Sequence, residues 1–191
     1  MHAHPTAFWP LAFMWLAMMA VMMSPTAWPW VRAFQRFGGS SSTAMATALF
    51  AIGYLVTWSG YAMAAAALQL LLHGAATTAA GAFIFAVAGV YQFVPLKRAC
   101  LAHCRNPLTY FLARWRNGPT SGFQMGVNHG LYCVGCCWAL MATALAVGAT
   151  NVWWMAVLAA TSFGEQVAPR GEALRRPLGA ALLAAAVWRL V

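Results

Sequence analysis

The chain contains no aspartate and only two glutamates, Glu165 and Glu172. Just 7% of its 191 residues are charged, against about 25% in a typical soluble domain. So few charges cannot cover a water-exposed surface, which excludes an ordinary soluble globule. Lipid removes the difficulty, because an apolar exterior costs nothing there. Two acids also argue against a hydrolase built on paired carboxylates. The sequence holds no P-loop, no Gly-rich nucleotide loop, no His-Glu-x-x-His and no nucleophile elbow. The first apolar stretch has no basic segment before it and no clear small-residue cleavage site after it, and it reads as a retained helix rather than a signal peptide. There is no internal repeat and no low-complexity tail, so residues 1–191 read as one domain.

What is present is apolar sequence in long runs: 63% of the residues are hydrophobic. A spanning helix needs roughly 20 mostly apolar residues. On that measure the fold class is all-α, a polytopic transmembrane helical bundle of about six spans, near 8–30, 43–72, 75–94, 122–149, 152–168 and 177–191. The breaks between them carry turn signals: Gly38 to Ser42, His73-Gly74, Gly148 to Asn151 and Pro169-Arg170-Gly171. The longest polar segment, 95–120, reads as a cytoplasmic loop.

Positive charge is distributed unevenly among these connections. The first holds Arg32 and Arg36, the third Lys97, Arg98, Arg105, Arg114 and Arg116, and the fifth Arg170, Arg175 and Arg176. The second and fourth hold none, and only Arg189 falls elsewhere. By the positive-inside rule the odd-numbered loops are cytoplasmic and both termini face the non-cytoplasmic side. This predicts a multi-pass protein of the bacterial inner membrane. The net charge of +9 is then explained by lipid headgroups and topology rather than by nucleic acid.

The candidate chemistry is soft. Met125, His129, Cys133 and Cys136 are spaced by four, four and three residues, which places them in one helical stripe with Cys137 beside it. Thiolate, thioether and imidazole suit Cu(I), then zinc or an iron–sulfur cluster. Any one of these cysteines can be read as a small packing residue, and Gly122, Gly126, Gly130 and Gly135 mark a close helix contact. A histidine and three cysteines together in mid-membrane need partners, which favours ligation. In the first span Met18 and Met22, with Met14, form a thioether stripe at similar depth; filling gaps in a helix interface is the plainer reading of these methionines taken alone. Cys100, His103 and Cys104 share a face if 95–105 is helical, and could take a metal from the cytosol or be ordinary reduced thiols. Glu165 lies two-thirds along the fifth span. It is either protonated, paired with Lys97 or Arg98, or a metal ligand with His129, and Gln92 is close in depth. His2 and His4 fit a frayed terminus better than metal capture.

The pieces Trp15-Leu-Ala-Met-Met19, Gly53-Tyr-Leu-Val-Thr-Trp58, Gly89-Val-Tyr-Gln-Phe-Val-Pro-Leu-Lys-Arg-Ala-Cys-Leu-Ala-His-Cys-Arg105 and His129-Gly-Leu-Tyr-Cys-Val-Gly-Cys-Cys-Trp138 resemble a bacterial family of predicted metal-binding integral membrane proteins, labelled a domain of unknown function. The resemblance covers nearly the whole chain. It implies metal binding without an assigned reaction, and the shared motif positions are Gln92, Lys97, Cys100, Cys104, His129, Cys133, Cys136 and Cys137.

The leading expectation is an integral membrane protein that handles, transfers or senses a soft metal, copper before zinc. Its core ligands would be His129, Cys133 and Cys136, with methionines of the first span as outer partners and Cys100 and Cys104 as a cytoplasmic relay site, in one centre with the others or apart from it. Its partners would be membrane lipid and either other membrane subunits or a metal chaperone. Two alternatives stand beside it. One is an accessory subunit of a larger membrane complex, suggested by ten Trp and eleven Phe. The other is a thiol–disulfide oxidoreductase coupled to quinone, suggested by the Cys133-x-x-Cys136 spacing.

Overall fold

The structure is a computed structural model and describes residues 7–38, 43–72, 78–115 and 120–191. His2, His4, the turns at 39–42 and 73–74, Arg116 and the 118–119 pair lie outside the described residues. Among those described, the chain is all-α, with eight helices and no strand. They are α1 (Phe8–Gly38), α2 (Thr43–Leu72), α3 (Thr78–Tyr91), α4 (Pro95–Cys104), α5 (Pro107–Arg114), α6 (Ser121–Val147), α7 (Val152–Val167) and α8 (Gly171–Trp188). Three of them, α1, α2 and α6, are long and apolar enough to cross a membrane. A fourth crossing results if α3 and α4, bent by 68°, are one broken span.

Three expectations change. The first helix does not stop at Trp30 but continues to Gly38, carrying Arg32 and Arg36 on its last turns. A second aromatic core holds that extension, with Trp30 and Phe34 packed on Phe50, Tyr110 and Phe111. The segment 95–120 is not simply a loop, since it contains α4 and α5, and α4 buries Lys97, Cys100, Leu101 and Cys104. The last helix begins at Gly171 rather than Pro177, so Arg175 is a buried helical residue instead of a loop charge.

Proline chemistry sets the bends. Pro95 and Pro107 open α4 and α5, where a missing N–H costs nothing. Pro95 also forces Val94 into an extended conformation, φ −69° and ψ 136°, which ends α3. At the other end, Gly148 terminates α6 at φ 106°, a conformation that favours glycine. The Asn151 side chain accepts a hydrogen bond from Trp154 N at 3.1 Å and starts α7. Arg189, the one basic residue outside the basic connections, donates to Ala146 O at 3.1 Å near the end of α6 and lies over the Phe85 ring. There it meets carbonyls left unpaired at a helix C-terminus.

The closest pairing in the bundle is α2 against α6. A Cβ at Gly122 would run into Ala46 O, one at Gly126 into Phe50 O, and one at Gly53 into Phe123 O. The two backbones therefore touch with no side chain between them, as small residues allow in membrane helices. Thr57 adds a bridge, donating to Gly53 O at 3.2 Å and to Val127 O at 3.3 Å. Gly135 does not join this contact; its missing Cβ leaves room for the Cys100 sulfur.

Replacing Gly126 by Leu is expected to push α2 from α6 and to destabilise the fold by about 1–3 kcal/mol, the usual cost of overpacking. Gly60, where a Cβ would meet nothing within 4 Å, provides the control. Gly60→Ala should not destabilise the fold and should gain up to about 1 kcal/mol in detergent unfolding, the advantage of alanine over glycine inside a helix.

Candidate metal centre

The α6 stripe turns inward. Met125, His129, Cys133, Cys136 and Cys137 are each at most 2% exposed. Cys133 is the hub. Its sulfur is 3.4 Å from Tyr54 Oη on α2 and 3.8 Å from Gln166 Oε1 on α7. Its carbonyl accepts from Cys136 Sγ at 3.2 Å and from Cys137 Sγ at 2.8 Å. Both neighbouring thiols thus rest on the backbone of their own helix, a local bond open to small polar side chains in a dry interior.

The second cysteine pair is not a separate relay on the surface. Because α4 folds back against α6, Cys104 Sγ lies 3.9 Å from Cys136 Sγ, and it also interacts with Cys133. Cys100 reaches the same region beside Gly135. All five cysteines are buried, and none forms a disulfide. With metal–sulfur bonds of about 2.3 Å, two sulfurs on one ion lie about 3.8 Å apart in tetrahedral and about 4.0 Å apart in trigonal geometry. The Cys104–Cys136 separation suits both. Among the described residues, no three His, Cys, Asp or Glu side chains stand as a ready-made ion site.

One turn before Cys133, His129 is stacked on Trp30 with ring centroids 3.9 Å apart, and Tyr54 and Phe50 flank it. Neither of its ring nitrogens has a hydrogen-bond partner among the described residues, although the side chain is buried. His103, on α4, stacks on Tyr132 with ring centroids 3.7 Å apart and on Trp30 at 5.3 Å. The Trp30 Nε1 donates to Cys104 O at 2.8 Å, which ties the end of α4 to α1.

Glu165 takes one of the three roles open to it in the sequence. Its Oε2 accepts from Lys97 Nζ at 2.7 Å, and both side chains are buried, at 2% and 0% exposed. Lys97 is thus an internal ion-pair partner and not a headgroup-facing charge. Arg105 donates to Glu165 O at 2.8 Å and to Pro169 O at 2.9 Å, joining α4 to the end of α7. Gln92 is fully buried at the α3–α4 bend, where its carbonyl accepts from Arg175. Glu165 belongs to this polar joint through Lys97, whereas neither atom of the Gln92 side-chain amide has a partner among the described residues. Glu172 is the exposed charge expected, 3.7 Å from Arg98.

The methionines divide. Met19, Met22 and Met23 are buried in the core that also contains all five cysteines, whereas Met14 and Met18 only pack against its edge. Met63 is 43% exposed and faces away from it. Sequence reasoning missed Trp30, Tyr54 and Gln166. The four-residue spacing of Phe50, Tyr54 and Trp58 marks a buried face of α2, but nothing in the sequence aligns that face with Cys133.

Removing Lys97 would leave a buried carboxylate uncompensated. Lys97→Met should therefore destabilise the fold by about 3–5 kcal/mol, and Lys97→Met/Glu165→Leu should recover most of that loss. Chemical unfolding of the single and double variants in micelles measures both.

No curated protein and no solved structure matches the chain. A family description does: that of the PpoB2 copper chaperones, over residues 12–189. The match takes in every helix carrying the buried sulfurs, from α1 to α8, and on that extent the chain belongs to this copper chaperone family.

Proposed function

We propose that this chain is a multi-pass protein of the bacterial inner membrane that receives Cu(I) in a buried thiol cluster and passes it to a partner protein. Cys104, Cys133 and Cys136 are the ligands, with Cys137 as the adjacent exchange group. The observation that carries this reading is the meeting of thiols from two helices, Cys104 of α4 and Cys136 of α6, with their sulfurs 3.9 Å apart in a dry core. Sulfur-only coordination suits soft ions, Cu(I) and zinc alike, and membership of a copper chaperone family supports Cu(I) between them. The hydrogen bonds of Cys136 and Cys137 to the Cys133 carbonyl support a transfer role, because a thiol so held has a partner to exchange for an ion. Each thiol can leave its hydrogen bond to bind and return to it on release, without opening the bundle.

The six-span arrangement is part of this proposal. At 1.5 Å per residue, α7 is about 24 Å and α8 about 27 Å long, slightly short of a hydrocarbon core of about 30 Å. Local thinning of the bilayer accommodates such helices. With α3 as the remaining span, the basic connections share the cytoplasmic side. A reporter active only outside the cytoplasm, such as alkaline phosphatase, should be active when fused after Val191 and inactive when fused after Arg36. The opposite pattern would reverse the topology.

The copper assignment is tested by elemental analysis and Cu(I) competition titration of purified chain in micelles. One Cu(I) per chain is expected. Cys136→Ser and Cys104→Ser should each weaken binding by more than about 100-fold, beyond the 10–100-fold typical of changes outside the ligand shell. The reading is overturned if wild type takes up no Cu(I), or if it binds Zn(II) and Cu(I) equally well.

A further inference from the structure

Between α5 and the start of α6 lies a cavity of about 490 Å3. Its rim carries Arg114 and Gln124, which are exposed, and its inner wall carries Met125, which is buried. A neighbouring cavity of about 420 Å3 shares Tyr110, Ala113 and Arg114 with it and reaches His103. Both volumes fall within the range of small-molecule sites, about 300–1,000 Å3, and are far too small for a folded protein. Among the described residues that line the two walls, Arg114 and His103 are the basic side chains and none is acidic. The chemistry of the site is therefore that of a small anion.

Met125 is also the first soft donor of the α6 stripe. His129 and Cys133 follow at four-residue steps, each about 6 Å further along the helix axis. His129 is the buried group whose two ring nitrogens lack partners, and Asn128 Oδ1, on the cavity wall, is likewise unpartnered among the described residues. A series of donors thus runs from a cavity with an anion-attracting rim to the thiol cluster, and its middle member has unused ligating atoms.

We propose that the cavity beside α5 is the loading vestibule, which admits Cu(I) as the complex of a small anionic thiol, and that Met125 and His129 relay the ion to Cys133. This rests on the copper reading above and adds its donor and its route. The exchange is balanced without any change in oxidation state. The bond from copper to the carrier sulfur breaks as the bond to the Met125 sulfur forms, that bond breaks as a His129 nitrogen binds, and the His129 bond breaks as the Cys133 sulfur takes the ion. The released carrier thiolate takes the proton that the Cys133 thiol gives up. The Arg114 guanidinium holds the carrier's carboxylates at the rim, so that only the ion passes inward.

The test is the rate of Cu(I) loading into the full chain in micelles from two sources. These are the glutathione complex, which is anionic, and the acetonitrile complex, which is cationic. From glutathione, Arg114→Gln should load about tenfold more slowly than wild type, the lower end of electrostatic steering. From acetonitrile, its rate should match or exceed wild type, because a cationic complex is not attracted by the guanidinium. Met125→Leu, close in volume, should slow loading from both sources by a similar factor. Arg114 is at an exposed rim, so its substitution leaves core packing intact. If both variants load from glutathione at the wild-type rate, the vestibule is overturned while the copper site stands. If wild type takes up no Cu(I) from either source, the copper reading fails and the vestibule with it.

Discussion

The direct contact of α2 and α6 backbones governs the interior of this protein. Gly122 and Gly126 of α6 and Gly53 of α2 leave no side chain between the helices, so neither can rotate without a collision. Fixing α6 in this way fixes where its other faces point. The Met125–His129–Cys133 row lies about 100° around the helix from the glycine row and is directed into the bundle. The same contact sets Tyr54 against the Cys133 sulfur. A single packing constraint therefore orients a whole row of donor groups.

A second constraint acts on α4. Lys97 and Glu165 would each be costly alone in an apolar interior, and together they clamp α4 to α7. Arg105 extends the clamp to the end of α7, and Trp30 holds the carbonyl of Cys104 from α1. The result is a short helix pulled inward rather than lying on a surface. Cys104 reaches Cys136 for that reason, and the two groups of cysteines become one.

The legible part of the site was whatever follows helical periodicity. The spacing of Met125, His129, Cys133 and Cys136 shows a common face, and the spacing of Gly122, Gly126 and Gly130 shows a packing face; both faces are present. The alternatives left open for Glu165 included its true partner, because a carboxylate at that depth has few ways to be satisfied. The extent of α1 was misjudged because Arg32 and Arg36 look like loop charges, although a helix end tolerates them well. The segment 95–120 reads as a loop because its net character is basic, while its buried described residues are only six.

The amino-acid sequence by itself determined that the chain is helical and apolar, and that sulfur and imidazole recur along one stripe. These are local properties, set by composition and by the 3.6-residue period. Tertiary structure alone decided that Cys104 joins Cys136, that Trp30 stacks on His129, and that a cavity opens at Met125. Such pairings depend on the relative rotation and depth of separate helices. Those are settled by close packing and by the burial of a few charges, and no periodicity within a single helix encodes them.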